Sequence, residues 1–276
     1  MQRFTIPIIL LVTVILSVFK IFNYLLKSDK GNILSSGSYI SPTPTPLFLP
    51  NGTITEKTYL GKKYLIFSVK VTNQQSKIEI IPNFSEKSTG SNLMEKYNCD
   101  AAINGGFYLG NSTPLGLFIK SGKVFGKEAK SSIANMFVWQ DLAGDIKFVR
   151  EPPLNLQFTN FIFQTGPYII PGEKPLKLLR DERARRSLLS KDFQGNLYFI
   201  SITLKDNLDG GPHLSDIPVI FGQLKKENIL PFEEMVNLDG GSASFFYSGD
   251  RHKNLILSSW SAIGSILCAK FIESQP

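Results

Sequence analysis

Two similar stretches of sequence decide the fold: Ala101–Tyr108 (AAINGGFY) and Val236–Ser244 (VNLDGGSAS). In each, an apolar run ends in a polar side chain, Asn104 or Asp239, directly before two glycines. Taken singly, Asn-Gly and Asp-Gly are strong signals for a hairpin turn. A glycine pair at a strand end also lets a ligand approach the backbone and exposes amide groups as an anion-binding nest. Together the stretches predict a polar site where two strands end.

Segments with the character of strands dominate the rest of the sequence. Most are rich in β-branched or aromatic residues and are bounded by Gly, Asn, Asp or Pro, which is typical of strands. The predicted strands are Lys63–Val71, Lys77–Pro82, Ala101–Tyr108, Leu115–Lys120, Ile133–Trp139, Asp145–Val149, Phe161–Ile170, Ser187–Lys191, Leu197–Thr203, Met235–Asp239 and Ile263–Ile272. Helices are predicted over Ser91–Tyr97 and Asp216–Glu227, the latter with Ser215 as its cap. The pattern predicts an α+β domain with a large mixed β-sheet and few helices.

The N-terminal part of the chain predicts an anchor and a spacer. Phe4–Phe19 carries no charge, and apolar character resumes after Lys20, which predicts a transmembrane anchor or signal-anchor over residues 1–27. No small-x-small motif follows, which favours an anchor over a cleaved signal peptide. Residues 28–50 predict a disordered Ser/Thr/Pro linker before a domain over residues 51–276. The flanking charges do not decide the orientation. By association with common export arrangements, we expect a single-pass membrane protein with an extracytoplasmic domain, secreted if the segment is cleaved.

Composition excludes several classes of function. The formal net charge is +7, but the basic residues are scattered and no nucleic-acid-binding motif is present, so no nucleic-acid partner is predicted. With only two histidines, His213 and His252, a multi-histidine metal site and a Ser-His-Asp triad are disfavoured. The two cysteines, Cys99 and Cys268, lie far apart in apolar contexts. A disulfide and two buried thiols are both compatible with them.

The order of the polar motifs resembles that of the phosphodiester glycosidases, the family of the lysosomal uncovering enzyme. The resemblance extends over most of Tyr97–Ile272. It rests on NGGF, PLG, QTGP, an Arg-Ser strand start and NLDGGS, which begin at Asn104, Pro114, Gln164, Arg186 and Asn237. Ala243 and Ser244 depart from the pattern, since a further glycine or serine is usual there.

The resemblance implies an enzyme that hydrolyses a sugar-1-phosphodiester in glycoconjugates or envelope polysaccharide. It places Asp239 near the anomeric carbon as nucleophile, base or electrostatic stabiliser, assigns Arg186 to the phosphate, and has Asn104 orient a sugar hydroxyl. The further residues expected to contact substrate are Gly105, Gly106, Arg185, Gly240, Gly241, Ser242 and His213. No metal site or cofactor is predicted. The sequence leaves open whether an aspartate binds a divalent cation, although it has no complete oxygen-ligand loop of the EF-hand type.

The five residues NLDGG occur a second time, at Asn207–Gly211. This copy leaves a predicted strand and enters the helix, whereas Asn237–Gly241 follows the helix and a new strand, as in the family. Asp239 is therefore assigned to the site and Asp209 is interpreted as a loop residue. The sequence does not decide which of Asp181, Glu182 and Asp209 supplies the carboxylate that partners Asp239.

Two other classes of function are compatible with the sequence. One is a non-catalytic module that binds envelope glycans, with Tyr108, Trp139 and Phe246 as stacking surfaces. The other is a structural partner of a membrane complex, which would depend on the N-terminal segment. The expected partners are therefore a glycan or sugar-phosphodiester substrate and, through that segment, a membrane.

Overall fold

The computed structural model describes residues 52–72, 76–249 and 254–272. The predicted membrane anchor over residues 1–27 and the predicted linker over residues 28–50 lie outside these ranges. Within them, no helix combines the length and apolar character needed to cross a membrane.

Strands form most of the regular structure in the described residues, together with two α-helices. Numbered along the chain, the strands are β1 Thr53–Tyr59, β2 Lys62–Val71, β3 Ser76–Pro82, β4 Ala101–Asn104, β5 Phe118–Lys120, β6 Lys123–Gly126, β7 Met136–Asp141, β8 Ile146–Val149, β9 Thr159–Thr165, β10 Tyr168–Ile169, β11 Arg186–Asp192, β12 Leu197–Leu204, β13 Phe232–Asn237, β14 Phe246–Ser248, β15 Leu255–Leu257 and β16 Ser265–Phe271. The helices are α1 Gly90–Lys96 and α2 Ile217–Lys226. The prediction of a β-rich domain with few helices is confirmed.

The described strands form three sheets, not the single mixed sheet that was predicted. Sheet A has the order β1-β2-β12-β11-β13-β10, sheet B the order β15-β14-β4-β16-β3, and sheet C the order β6-β5-β9-β7-β8. Every pair of neighbouring strands among them is antiparallel.

Several element boundaries differ from the predicted ones for local reasons. The strand predicted to reach Tyr108 ends at Asn104, and Phe161–Ile170 is divided into β9 and β10 at a cis Gly166–Pro167 peptide. The strands β1, β6 and β15 were not predicted because they lie at sheet edges, where exposure removes the apolar pattern. β14, also missed, has three residues.

Both predicted helices are confirmed, but the predicted cap of α2 is wrong. Leu214–Asp216 forms a 3₁₀ turn before α2, and the cap residue is Asp216, without a side-chain cap bond. The amides of this turn are instead bound by another carboxylate. Asp181 accepts hydrogen bonds from the backbone amides of Leu214 and Ser215, both at 2.8 Å.

The main core lies where the three sheets pack together. It includes Val69 of sheet A, Ile103 of sheet B and Phe163 of sheet C, all about fully buried. Helix α2 covers the other face of sheet A through residues such as Phe221. Helix α1 packs beside sheet B through Leu93. The ends of β4 and β13 are therefore held by packing on several sides.

A disulfide joins Cys99, which precedes β4, to Cys268 of β16. The sequence left a disulfide and two free thiols open, and the structure has the bond. Cys268 pairs with Ala102 across the β4–β16 register, so the bond supports the strand that leads into Asn104.

We expect loss of this disulfide to lower the free energy of unfolding by about 2–4 kcal/mol, since the bond constrains the unfolded chain. Urea denaturation of a Cys99→Ala, Cys268→Ala double variant measures the effect, because alanine adds no buried hydroxyl. The reduced wild-type protein is the control. A double variant with the transition of the oxidised protein would contradict the expectation.

Candidate active site

Asp239 lies where the ends of β4 and β13 meet. Its backbone amide donates to the carbonyl of Gly105 at 3.1 Å, and Nδ2 of Asn104 donates to the carbonyl of Asp239 at 2.8 Å. The Asp239 backbone is thus bonded through both its donor and its acceptor to the first glycine motif. The structure brings together the two stretches that the sequence predicted to converge.

The side chain of Asn104 is bonded to the backbone on all sides. It is 1% exposed. Nδ2 also donates to the carbonyl of Gly105 at 3.2 Å, and Oδ1 accepts from the amide of Phe245 at 2.9 Å. Both amide hydrogens are therefore used. This geometry supports a positioning role for Asn104 and does not support the predicted contact with a sugar hydroxyl.

Gly105 and Gly106 allow the end of β4 to pack closely. A Cβ on Gly105 would lie 2.1 Å from Oγ of Ser265, and one on Gly106 would lie 2.9 Å from the carbonyl of Gln164. The amide of Gly105 donates to the carbonyl of Ser265 at 2.8 Å. These glycines serve packing, and the predicted anion nest is wrong for the Gly105 amide.

The amides of the second glycine pair are also occupied. Gly240 donates to Oδ1 of Asp239 at 2.9 Å, and Gly241 donates to the carbonyl of Arg185 at 2.9 Å. The predicted anion nest is therefore wrong here too, because both amides already bind protein oxygens. Gly241 has a φ of +63°, which favours glycine and turns the chain after the site.

A cleft of about 290 Å³ lies against Asp239. One wall comes from the irregular segment before β11, and the other comes from the ends of β13 and the Asp239 loop. The cleft is lined by Phe107, Ile133, Leu178, Arg180, Asp181, Glu182, Ala184, Arg186, Leu214, Asn237, Asp239, Gly240 and Gly241. Of the predicted site residues, Asp239, Arg186, Gly240 and Gly241 are therefore brought together in the cleft.

Asp239 presents a carboxyl group in poorly hydrated surroundings. Burial raises the pKa of Asp239 to about 7, although the hydrogen bond from the Gly240 amide opposes this. A carboxyl group with a pKa near neutrality can accept or donate a proton at physiological pH. Such perturbed groups are concentrated at functional sites.

Arg186, the first residue of β11, contributes a cation to the same cleft. Its Nε donates to the carbonyl of Pro212 at 3.2 Å, and its Nη2 donates to the carbonyl of Glu182 and lies 3.4 Å from Oδ1 of Asp181. Nη1 has no hydrogen-bond partner within the described ranges. Burial lowers the pKa of Arg186, opposed by Asp181 and Glu182, but an arginine stays charged. Nη1 is thus available to an anion.

The three candidates for a partner carboxylate have different positions. Asp181 and Glu182 line the cleft, whereas Asp209 is exposed on the loop after β12. Burial tends to raise the pKa of Asp181, but hydrogen bonds from Ser215 and Leu214 and the charge of Arg186 bring it below the usual value. Asp181 is therefore an ionised anchor of the cleft wall.

The other predicted contacts do not line the cleft. Arg185 is 1% exposed and donates to the carbonyls of Ser258 at 2.9 Å and Ser244 at 2.8 Å. Ser242 is exposed. His213 Nδ1 lies 2.7 Å from the carbonyl of Asp181. Contact of Gly106, Arg185, Ser242 and His213 with a substrate in the cleft is not supported by this geometry.

The QTGP motif supports the site through the backbone. Nε2 of Gln164 donates to the carbonyls of Ala129 at 2.6 Å and Ala134 at 2.7 Å, which fixes the segment between β6 and β7. Thr165 Oγ1 donates to the carbonyl of Asn237 at 2.7 Å, so the motif also holds the end of β13.

The aromatic residues predicted as stacking surfaces do not line the cleft. Phe246 is fully buried in the core. Lys147 Nζ lies 4.9 Å from the ring centroid of Trp139, and the hydroxyl of Tyr108 donates to the carbonyl of Ala262 at 2.6 Å. The non-catalytic binding module therefore lacks the surface on which it was predicted.

Besides apolar lining residues such as Phe107 and Ile133, two polar cleft residues were missed by sequence reasoning although signals for them were present. Arg180 begins the charged run up to Arg186, in which Asp181, Glu182 and Arg186 were already candidates. Asn237 opens the NLDGGS motif, and strand alternation from Asp239 places it on the same face. Within the described ranges, no group of three His, Cys, Asp or Glu residues is arranged to hold a metal ion.

Comparisons with known proteins agree with this architecture. A family model described as phosphodiester glycosidase matches residues 97–267, more than half of the chain. No match was found among curated proteins. The catalytic domain of zebrafish N-acetylglucosamine-1-phosphodiester alpha-N-acetylglucosaminidase, auto-inhibited by its pro-peptide, is 16% identical with a TM-score of 0.57, and the match covers 82% of this chain and 84% of that one. A hypothetical protein from Synechocystis is 15% identical with a TM-score of 0.52, over 80% of this chain and 62% of that one. These two structures show a shared fold.

The close packing at Gly105 can be tested by adding a methyl group at this position. We expect Gly105→Ala to lower the free energy of unfolding by about 1–3 kcal/mol, because the added methyl group must displace Ser265. Gly110→Ala is the matched control, since a Cβ there meets nothing within 4 Å and should change stability by less than about 0.5 kcal/mol. Equal urea transitions for the two variants would show that β4 and β16 do not pack as described.

Proposed function

The chain belongs to the phosphodiester glycosidase family, and we propose that it hydrolyses the bond between the anomeric carbon of a sugar and a phosphodiester. The observation that carries the proposal is the pairing, in one cleft, of Asp239 with a pKa of about 7 and Arg186, whose Nη1 has no hydrogen-bond partner among the residues that the structure describes. One group can exchange a proton at neutral pH, and the other can hold a phosphate.

The position of Gly240 relates these two groups to each other. A Cβ on Gly240 would lie 3.8 Å from Arg186 Nη1, so the guanidinium lies against the glycine that follows Asp239. A phosphate bound by Arg186 would then be close to the Asp239 loop. Arginine suits this role because its planar group can donate two parallel hydrogen bonds to phosphate oxygens.

The proposed reaction is the attack of water on the anomeric carbon through an oxocarbenium-like transition state. The oxygen of water bonds to the anomeric carbon as the bond from that carbon to the phosphate oxygen breaks. The Asp239 carboxylate accepts the proton of the attacking water, and the electron pair of the broken bond leaves with the phosphate. The products are the free sugar and a phosphomonoester.

The negative charge that develops on the leaving phosphate explains the role of the arginines that line the cleft. Phosphate is a good leaving group, so a strong general acid is less necessary than in ordinary glycosidases. Arg186 would stabilise the developing phosphomonoester charge in a partly desolvated position, where electrostatic interactions are stronger than in water. The exposed Arg180 on the same wall adds positive charge.

The proposed substrates are sugar phosphodiesters of glycoconjugates or envelope polysaccharide outside the cytoplasm. The Cys99–Cys268 disulfide supports this location, because such bonds persist in oxidising compartments. The apolar segment within residues 1–27 would hold the enzyme at a membrane, and the linker over residues 28–50 would separate the domain from it.

We expect the full-length wild-type protein to release free sugar from a sugar-1-phosphodiester and Asp239→Asn to reduce kcat about 10²–10⁴-fold, since a positioned proton acceptor contributes about that much. Asp209→Asn is the matched control, because it changes the aspartate of the same five-residue motif at an exposed position. It should stay within about twofold of wild type.

Release of sugar is measured for all three proteins on a panel of sugar-1-phosphodiesters. Equal activity in Asp239→Asn and wild type would contradict the assigned role. A wild-type protein without turnover on any member of the panel would contradict the proposed reaction.

A further inference from the structure

Trp260 is an exposed aromatic residue beside the Asp239 loop. Its side chain is 52% exposed. Its backbone amide donates to the carbonyl of Ser242 at 2.9 Å, and the amide of Ser261 donates to the same carbonyl at 3.2 Å. Ser242 directly follows Gly241, which lines the cleft. The loop that carries Trp260 is therefore fixed to the loop that forms one wall of the cleft.

The indole ring rests on a buried cation. The guanidinium of Arg185 lies 4.8 Å from the ring centroid of Trp260, and Arg185 is 1% exposed. This guanidinium also donates to the carbonyls of Ser244 and Ser258, so one side chain joins the Asp239 loop to the Trp260 loop. A cation at this distance is attracted to the face of the ring. The contact orients the indole and leaves part of its surface in solvent.

The residues that flank Trp260 in its loop, and Ser242 to which the loop is bonded, are small and carry hydroxyls. Ser261 Oγ lies 3.1 Å from Oγ of the exposed Ser242, and Oγ of the exposed Ser258 lies 3.3 Å from that of Ser91. An oriented aromatic surface bordered by uncharged hydroxyls matches a sugar ring, which has a C–H face and equatorial hydroxyls. A lipid surface or a large protein interface would favour neighbouring apolar side chains instead.

We propose that Trp260 is a stacking subsite for a second saccharide unit of the substrate, adjacent to the cleft that holds the scissile phosphodiester. This inference rests on the proposed function and extends it from a single sugar phosphodiester to a longer glycan. Arg185 acts in it as a positioning residue, because it holds the indole and does not line the cleft. The burial of Arg185 is then explained by its contact with the indole of Trp260, whereas the adjacent Arg186 lines the cleft.

The kinetic test compares a short substrate, a monosaccharide-1-phosphate alkyl ester, with an extended one that carries a disaccharide in place of the alkyl group. Trp260→Ala should raise KM for the extended substrate about tenfold more than for the short one, as expected for loss of one aromatic contact. Trp260→Phe should restore most of this difference. Phe193→Ala is the control, since Phe193 is 72% exposed in the turn after β11. Equal changes of KM for both substrates would overturn the proposal.

A binding measurement tests the subsite without turnover. The chain has two tryptophans, so Trp139→Phe leaves Trp260 as the sole indole reporter in the full-length protein. Titration with the disaccharide alone should change its fluorescence saturably. No saturable response to the disaccharide would overturn the inference. Absence of turnover on the short substrate would instead contradict the proposed function, so the two failures are distinguishable.

Discussion

The hydrogen bonds that join Asp239 to the end of β4 are the constraint on which the rest of the site depends. The amide of Asp239 binds the carbonyl of Gly105, and its carbonyl binds the side chain of Asn104. Both partners are buried, so water cannot replace either bond at low cost. The loop that follows β13 of sheet A is therefore fixed in two directions to the end of β4 of sheet B, at the backbone of Asp239. The close approach of Gly105 to Ser265 and the disulfide before β4 serve this same junction.

The junction places a carboxyl group where hydration is poor, and this has an energetic cost. Because burial raises the pKa of Asp239 from 3.8 to about 7, the folded chain holds a proton in this interval that the unfolded chain has lost. The free energy of unfolding therefore falls as the pH rises from about 4 through 7, because the favourable contribution of protonated Asp239 is lost over this interval. A proton-transfer group at neutral pH requires such an environment, so reactivity is gained at the expense of stability. Arg186 and the ionised Asp181 complete the charged cleft around it.

Local patterns in the sequence predicted most of the elements, and their order along the chain separated Asp239 from Asp209. The same five residues surround both aspartates, but Asp239 lies in the cleft just after β13, whereas Asp209 lies on the exposed loop after β12. Sheet arrangement could not be predicted, because register between distant strands is not encoded in any one segment. Arg185 and Arg186 are neighbours with different surroundings: Arg185, just before β11, is buried against the carbonyls of Ser244 and Ser258, whereas Arg186, which begins β11, lines the cleft. The amides of Gly105 and Gly241 were misassigned because their acceptors, the carbonyls of Ser265 and Arg185, are distant in sequence.

The fold holds Asp239 in a poorly hydrated position where its proton is exchangeable at neutral pH. The most direct measurement is a pH titration of the ¹³C carboxyl resonances of aspartate-labelled protein, with the Asp239→Asn variant identifying the Asp239 signal. We expect a midpoint near pH 7 for this signal, because burial opposes ionisation more strongly than the Gly240 amide favours it. A midpoint near the ordinary aspartate value of about 4 would show that the fold does not hold Asp239 in this environment.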